Sequence, residues 1–158
     1  MGKTTKYHEM LKSFEGTWDA VAKFGTEPGK PPLESKGVEV SRLSSEGLWL
    51  TWDYDSQLAG QPFIGHGLMG FDTAQSKFVA CWVDNLSTFL QRPEGKCDEA
   101  GKTFTLISEI PGQQPGTTVK QKWVHEVLVQ GRRTLSFSFP GPDGKDIVVG
   151  TIEYTRRR

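Results

Sequence analysis

Residues 48–84 read LWLTWDYDSQLAGQPFIGHGLMGFDTAQSKFVACWVD, and the fold turns on how this stretch divides. From Leu48 to Asp55 the side chains of Leu48, Leu50, Trp52 and Tyr54 share one face of an extended chain. From Lys77 to Asp84 the same period of two puts Phe78, Ala80, Trp82 and Asp84 together. Gln61 to Phe71 lies between them, and Asp72-Thr73-Ala74-Gln75 supplies a turn. No stretch here has the length or the period of an amphipathic helix. Strands joined this closely pair antiparallel, because parallel pairing needs a long crossover.

Outward from this stretch the pattern persists. Tyr7, Met10, Leu11 and Phe14 fall at i, i+3, i+4 and i+7, which predicts a short helix over Thr5 to Phe14, stopped by Gly16. Thr17 to Phe24 then alternates, with Trp18, Ala20, Ala22 and Phe24 on one face, and Gly25 to Pro32 is too rich in Gly and Pro for anything but a loop. Further strands are expected at Glu34 to Leu43, Thr88 to Arg92, Thr103 to Ile110, Thr117 to Val129, Thr134 to Phe139 and Ile147 to Thr155. Turn residues separate them at Ser44 to Gly47, Asp98 to Gly101, Gln130-Gly131 and Pro140 to Gly144. About ten sequential strands protect their edges best by closing, so the expected class is all-β: an up-and-down antiparallel β-barrel with a short N-terminal helix. A two-sheet sandwich would share the strand spacing.

The 158 residues match one domain, with the helix in 1–15 and the barrel in 16–155. Nineteen basic residues balance nineteen acidic ones, which argues against nucleic acid or an anionic surface as partner. Two cysteines, Cys81 and Cys97, make no disulfide framework and suit a reducing compartment, so a cytoplasmic location is expected. The longest uncharged run, Ser56 to Phe71, contains Gln, Gly, Pro and His and cannot be an apolar membrane span. The first ten residues lack the apolar core of a secretory signal, and Lys6 breaks the myristoylation pattern that Gly2 would begin. Arg156, Arg157 and Arg158 read as a solvated basic end.

Several motifs carry a family resemblance. Gly16-Thr17-Trp18 after a short helix resembles the Gly-x-Trp signature of lipocalin-like and other calycin barrels. The ordered series Gly60-Gln61-Pro62-Phe63-x-Gly65-x-Gly67, Gly70-Phe71-Asp72, Trp82-Val83-Asp84, then Gly95 and Gly101-Lys102, is similar to the bacterial domain of unknown function 1579. The likeness spans about Leu11 to Tyr154. It implies a calycin-like barrel, related in shape to fatty-acid-binding proteins and haem-binding nitrobindins, with Trp18 plugging the barrel base. It implies no particular reaction.

The residues that point to function are aromatic ones interleaved with polar ones. Trp52, Tyr54, Trp82 and Trp123 would line the barrel if their faces turn inward, with Asp84 and His125 as polar groups, the pattern of a small-molecule site. The same rings could instead simply fill a core. His66 lies between Gly65 and Gly67, where a ring or ligand can approach the glycine face while His66 points away with Ile64 and Leu68. It is a candidate ligand anchor or general base, or a structural histidine. Asp84 either caps the turn Asn85-Leu86-Ser87 or anchors a ligand at the mouth, paired with Arg92. His8, His66 and His125 are too dispersed for a metal site. Gly2-Lys3-Thr4 lacks the rest of a phosphate loop, and Gly65-x-Gly67-x-x-Gly70 is not followed by a helix. The expectation is a barrel that binds a small apolar or amphipathic molecule and needs no cofactor. The alternatives are haem on His125, implied by the nitrobindin likeness, an enzyme with His66 or His125 as base and Asp84 orienting it, and a filled barrel acting as a scaffold or homo-oligomer.

Overall fold

Each strand of the barrel lies beside its neighbour in sequence, and the first strand pairs with the last. The computed structural model describes residues 2–25, 27, 29–129 and 131–158. Thr26 and Pro28 of the expected loop, and Gln130 of the expected turn, lie outside the described residues. Among the described residues the elements are α1 (Lys6–Met10), a 3₁₀ turn (Leu11–Phe14), and then β1 (Gly16–Phe24), β2 (Leu33–Ser44), β3 (Trp49–Leu58), β4 (Gln61–Asp72) and β5 (Lys77–Asp84). They continue with β6 (Glu94–Cys97), β7 (Thr103–Pro111), β8 (Thr118–Val127), β9 (Arg132–Pro140) and β10 (Asp146–Arg156). All neighbours are antiparallel, and the closing seam runs from Trp18 opposite Arg156 to Phe24 opposite Gly150. The closed barrel replaces the sandwich alternative.

Local chemistry explains the turns. The Asp72 carboxylate accepts hydrogen bonds from the backbone N–H groups of Ala74 (2.8 Å) and Gln75 (3.0 Å), and the Gln75 backbone bond is the largest influence holding its pKa below the ordinary value. Asp98 does the same with Lys102 (2.7 Å) and Thr103 (3.2 Å).

One expected strand is absent. Thr88 to Arg92 is not a strand; the sixth strand is Glu94–Cys97. The Asp84 carboxylate binds the N–H groups of Leu86 and Ser87, both at 2.9 Å, and so turns the chain out of the sheet. The chain rejoins at a single bridge between Gln91 and Trp82, and β5 and β6 pair only at Phe78 with Gly95 and Val79 with Glu94.

The N-terminal segment closes one end of the barrel. Thr5 caps α1, with its hydroxyl accepting from the Tyr7 N–H at 3.3 Å and its own N–H donating to Nδ1 of the buried His8 at 3.0 Å. Tyr7 stacks on Phe71 at 4.2 Å, and Phe14 meets Phe104 edge-on at 5.1 Å. Trp18, 1% exposed, donates its indole N–H to the Phe14 carbonyl at 2.8 Å. Its ring lies 4.6 Å from the Arg133 guanidinium and 4.3 Å from that of Arg156. Arg156 also donates to the carbonyls of Glu15 and Ser13, so the expected solvated tail in fact clamps the plug at this residue, while Arg157 binds Asp19. Trp18→Ala is expected to lower the unfolding free energy by about 3–5 kcal/mol, the usual loss for a large buried aromatic, measured by urea denaturation.

Candidate functional site

Inside the barrel, above the plug, lies a cavity of about 210 Å³. The strand directions give it two distinct ends. Its floor is formed where β8 ends and β9 begins, beside Phe14, and its mouth where β5 ends and β8 begins.

The floor is polar and closed. Arg133, 2% exposed, donates from Nη2 to the Glu39 carboxylate, which also accepts from the Ser41 hydroxyl at 2.7 Å. The Arg133 guanidinium carbon sits 3.7 Å from the centroid of the Tyr154 ring, a cation–π contact within a desolvated setting. Burial, then the charge of Glu39, push the Tyr154 phenol well above its ordinary pKa, with Arg133 opposing. His125, 5% exposed, is packed edge-on to Phe14 at 5.6 Å. Burial, helped by the positive charge of Arg133, drives its pKa down to about 3, so at neutral pH the imidazole carries no charge. Both of its ring nitrogens, and Nε of Arg133, have no hydrogen-bond partner among the described residues.

The walls are aromatic. Trp52 and Trp82 stack at 6.3 Å with 19° between their planes, and Trp123 meets Phe137 edge-on at 5.4 Å. The Trp82 indole donates to Asp84 and the Trp123 indole to Gln121, both at 2.8 Å. In each case the acceptor lies two residues along the same strand face, toward the mouth, so each ring is held flat by its own strand. Gly67 and Gly65 make room for these rings. A Cβ on Gly67 would lie 2.0 Å from Cε2 of Trp52, and one on Gly65 would lie 2.1 Å from Cζ2 of Trp82.

The structure thus brings together Trp52, Tyr54, Trp82, Asp84, Trp123 and His125 around one cavity. His66 is elsewhere, and the expectation that it anchors a ligand in the barrel is corrected. Its side chain is 61% exposed on the outer surface, 2.7 Å from Asp53, because the pleat that turns Gly65 and Gly67 inward turns residue 66 out. Nor does Asp84 form an ion pair with Arg92 among the described residues: its oxygens bind Trp82, Leu86 and Ser87. Asp84 and His125 occupy opposite ends of the cavity, so the carboxylate does not orient the imidazole. A scaffold with a solidly filled interior does not match a barrel that holds this cavity.

Sequence reasoning missed the two residues that organise the floor. Arg133 stands one place before the expected start of its strand at Thr134, yet it continues the inward alternation of Leu135 and Phe137. Glu39 lies between Val38 and Val40, and hydrophobicity alone would favour the valines as the inward side. Neither residue carries a motif.

The residues at the floor do not suit haem. His125 has Phe14 packed edge-on beside it, and about 210 Å³ is not far above the ~150 Å³ of an engineered cavity that holds benzene, too little for a tetrapyrrole macrocycle. No group of three or more His, Cys, Asp or Glu that could hold a metal occurs among the described residues.

The sequence profile of one family, described as protein of unknown function (DUF1579), matches residues 3–156. The chain belongs to this family. No curated protein is similar enough in sequence to count as a relative of this DUF1579 member. Among solved structures it is similar to Rv2717c from M. tuberculosis, with TM-score 0.66 and 14% identity over 99% of this chain and 100% of the other. It is also similar to the S-type phycobiliprotein lyase CPES from Guillardia theta, with TM-score 0.61 and 7% identity over 98% of this chain and 94% of the other. At these identities the likeness concerns the fold, a lipocalin-like barrel. No helix among the described residues of this DUF1579 chain is long and apolar enough to cross a membrane.

Two predictions follow from the geometry of this site. Gly67→Ala must displace the Trp52 ring, with an expected loss of about 1–3 kcal/mol and a changed near-ultraviolet circular dichroism spectrum. The second concerns acid. His125 has its folded pKa depressed from 6.5 to about 3, so the unfolded chain binds the extra proton first. The neutral imidazole therefore contributes its full stability above pH 6.5 and loses it as the pH falls toward 3. Thermal melts are expected to decline already between neutrality and about pH 5.5, where carboxylates are still ionised, and His125→Phe should flatten that decline.

Proposed function

We propose that this barrel is a binding module for a small apolar or amphipathic molecule, held between stacked tryptophan walls. The observation that carries the reading is the cavity of about 210 Å³, lined by tryptophan and other apolar side chains with a few polar ones, Asp84, Gln91 and Gln121, among them. Concave apolar sites with a few convergent polar groups are the usual form of small-molecule sites. The volume suits one substituted ring, or the end of a longer molecule emerging at the mouth. Two free cysteines support a reducing, cytoplasmic setting.

Acid–base catalysis has less support. An imidazole with a pKa of about 3 is a weak base near neutrality, and His66 lies outside the barrel.

Ethylbenzene added to the intact protein is expected to shift and quench tryptophan fluorescence saturably. Leu135→Trp, at a position that lines the cavity, should abolish that response while the far-ultraviolet spectrum stays that of a β-barrel. A wild-type protein whose emission ignores apolar probes, and which carries no extra mass in native mass spectrometry of freshly purified material, would sink the proposal.

A further inference from the structure

The charges around the cavity do not cancel. At the floor Glu39 and Arg133 pair with each other, and His125 is uncharged at neutral pH. Among the described residues that line the cavity this leaves one charged group, Asp84 at the mouth. No basic side chain among the described residues pairs with it. Lys122 is held by Asp146 on the outer face, and Arg92 is exposed beside Gln91.

The hydrogen bonds that Asp84 accepts come from neutral donors. Its Oδ1 takes the backbone N–H groups of Leu86 and Ser87, both at 2.9 Å, and the Ser87 hydroxyl at 3.1 Å, while Oδ2 takes the Trp82 indole N–H at 2.8 Å. These bonds fix the direction of the carboxylate without neutralising it. Three of them fall on Oδ1, so Oδ2 keeps a lone-pair site beside the Trp82 ring.

The walls carry the same preference. Trp82 is stacked with Trp52, and aromatic faces attract cations and repel anions through their quadrupole. A carboxylate entering the mouth would meet Asp84 as a like charge. An ammonium would meet an unbalanced carboxylate and a tryptophan at one place.

Resting on the binding function proposed above, we infer that the cavity takes organic ammonium ions, with the apolar body between the tryptophan walls and the cationic head at the mouth against Asp84 and Trp82. The carboxylate of the same skeleton is excluded. The Glu39–Arg133 pair sharpens the choice, because it leaves no free cation inside for an anion to reach.

The test is calorimetric titration of the intact protein at pH 7 with three probes that carry their polar group at the same distance from a phenyl ring: 2-phenylethylammonium, 2-phenylethanol and phenylacetate. The ammonium is expected to bind at least about tenfold more tightly than phenylacetate, a gap that narrows when the salt concentration is raised. In Asp84→Asn that gap should shrink to about threefold or less, through loss by the ammonium and gain by phenylacetate. The alcohol reports any displacement of Trp82, which would weaken all three probes alike. If the variant does not fold, the wild-type series and its salt dependence still decide. Phenylacetate within about threefold of the ammonium in the wild-type protein, or an undiminished gap in Asp84→Asn, overturns the selectivity and leaves the binding function standing. Binding of ethylbenzene without any of the three probes does the same. Failure of all four compounds to bind overturns both.

Discussion

The ion pair between Glu39 on β2 and Arg133 on β9 is the constraint around which the closed end of the barrel is arranged. A guanidinium that is 2% exposed is costly to bury unless its charge is met and its faces are covered. Glu39 meets the charge, and Phe14, Trp18 and Tyr154 lie against it. The pair links β2 to β9, which are separated in the barrel by β1 and β10, so it joins walls that share no backbone hydrogen bonds. Breaking a buried pair by removing one partner typically costs about 3–5 kcal/mol, so a polar contact of this kind strongly restricts which face of β2 turns inward.

The plug depends on the same cluster. Trp18 lies between the guanidinium groups of Arg133, inside, and Arg156, at the barrel end, and it takes the last carbonyl of the 3₁₀ turn as its hydrogen-bond acceptor. Because Arg156 belongs to the last strand and Trp18 to the first, the closing seam and the plug are stabilised by one set of contacts. Burial in this cluster, with the Arg133 charge beside it, is what keeps His125 uncharged.

The open half of the barrel is organised differently, by backbone proximity instead of charge. Two inward glycines on β4 let the Trp52 and Trp82 rings lie against the strand, and Asp84 and Gln121 hold the Trp82 and Trp123 indoles in place. A rigid polar floor and flat aromatic walls together define a small cavity without any loop being needed to shape it. Asp84 has two roles here: it positions Trp82 and, through Leu86 and Ser87, turns the chain away from the sheet at the point where β5 and β6 pair most weakly.

Local alternation and turn chemistry in the sequence determined the all-β class, the plug helix, nine of the ten strand locations and which residues share a face on β3, β5 and β8. Those properties follow from nearest neighbours: a period of two, an Asp or Gly at a turn, and no helical period between strands. The six cavity residues on these three strands were legible as members of shared faces, the closed barrel decided that those faces turn inward, and His66 was misjudged in being counted with them. What the tertiary structure decided is the orientation of β2. Ser35, Glu39 and Ser41 are buried within it, while Val38 and Val40 take the other face. Hydrophobicity would assign the opposite side. The orientation is set by pairing with Trp18 and Tyr54 on the neighbouring strands and by a guanidinium from 94 residues away in the chain, and no local pattern records a charge partner at that separation.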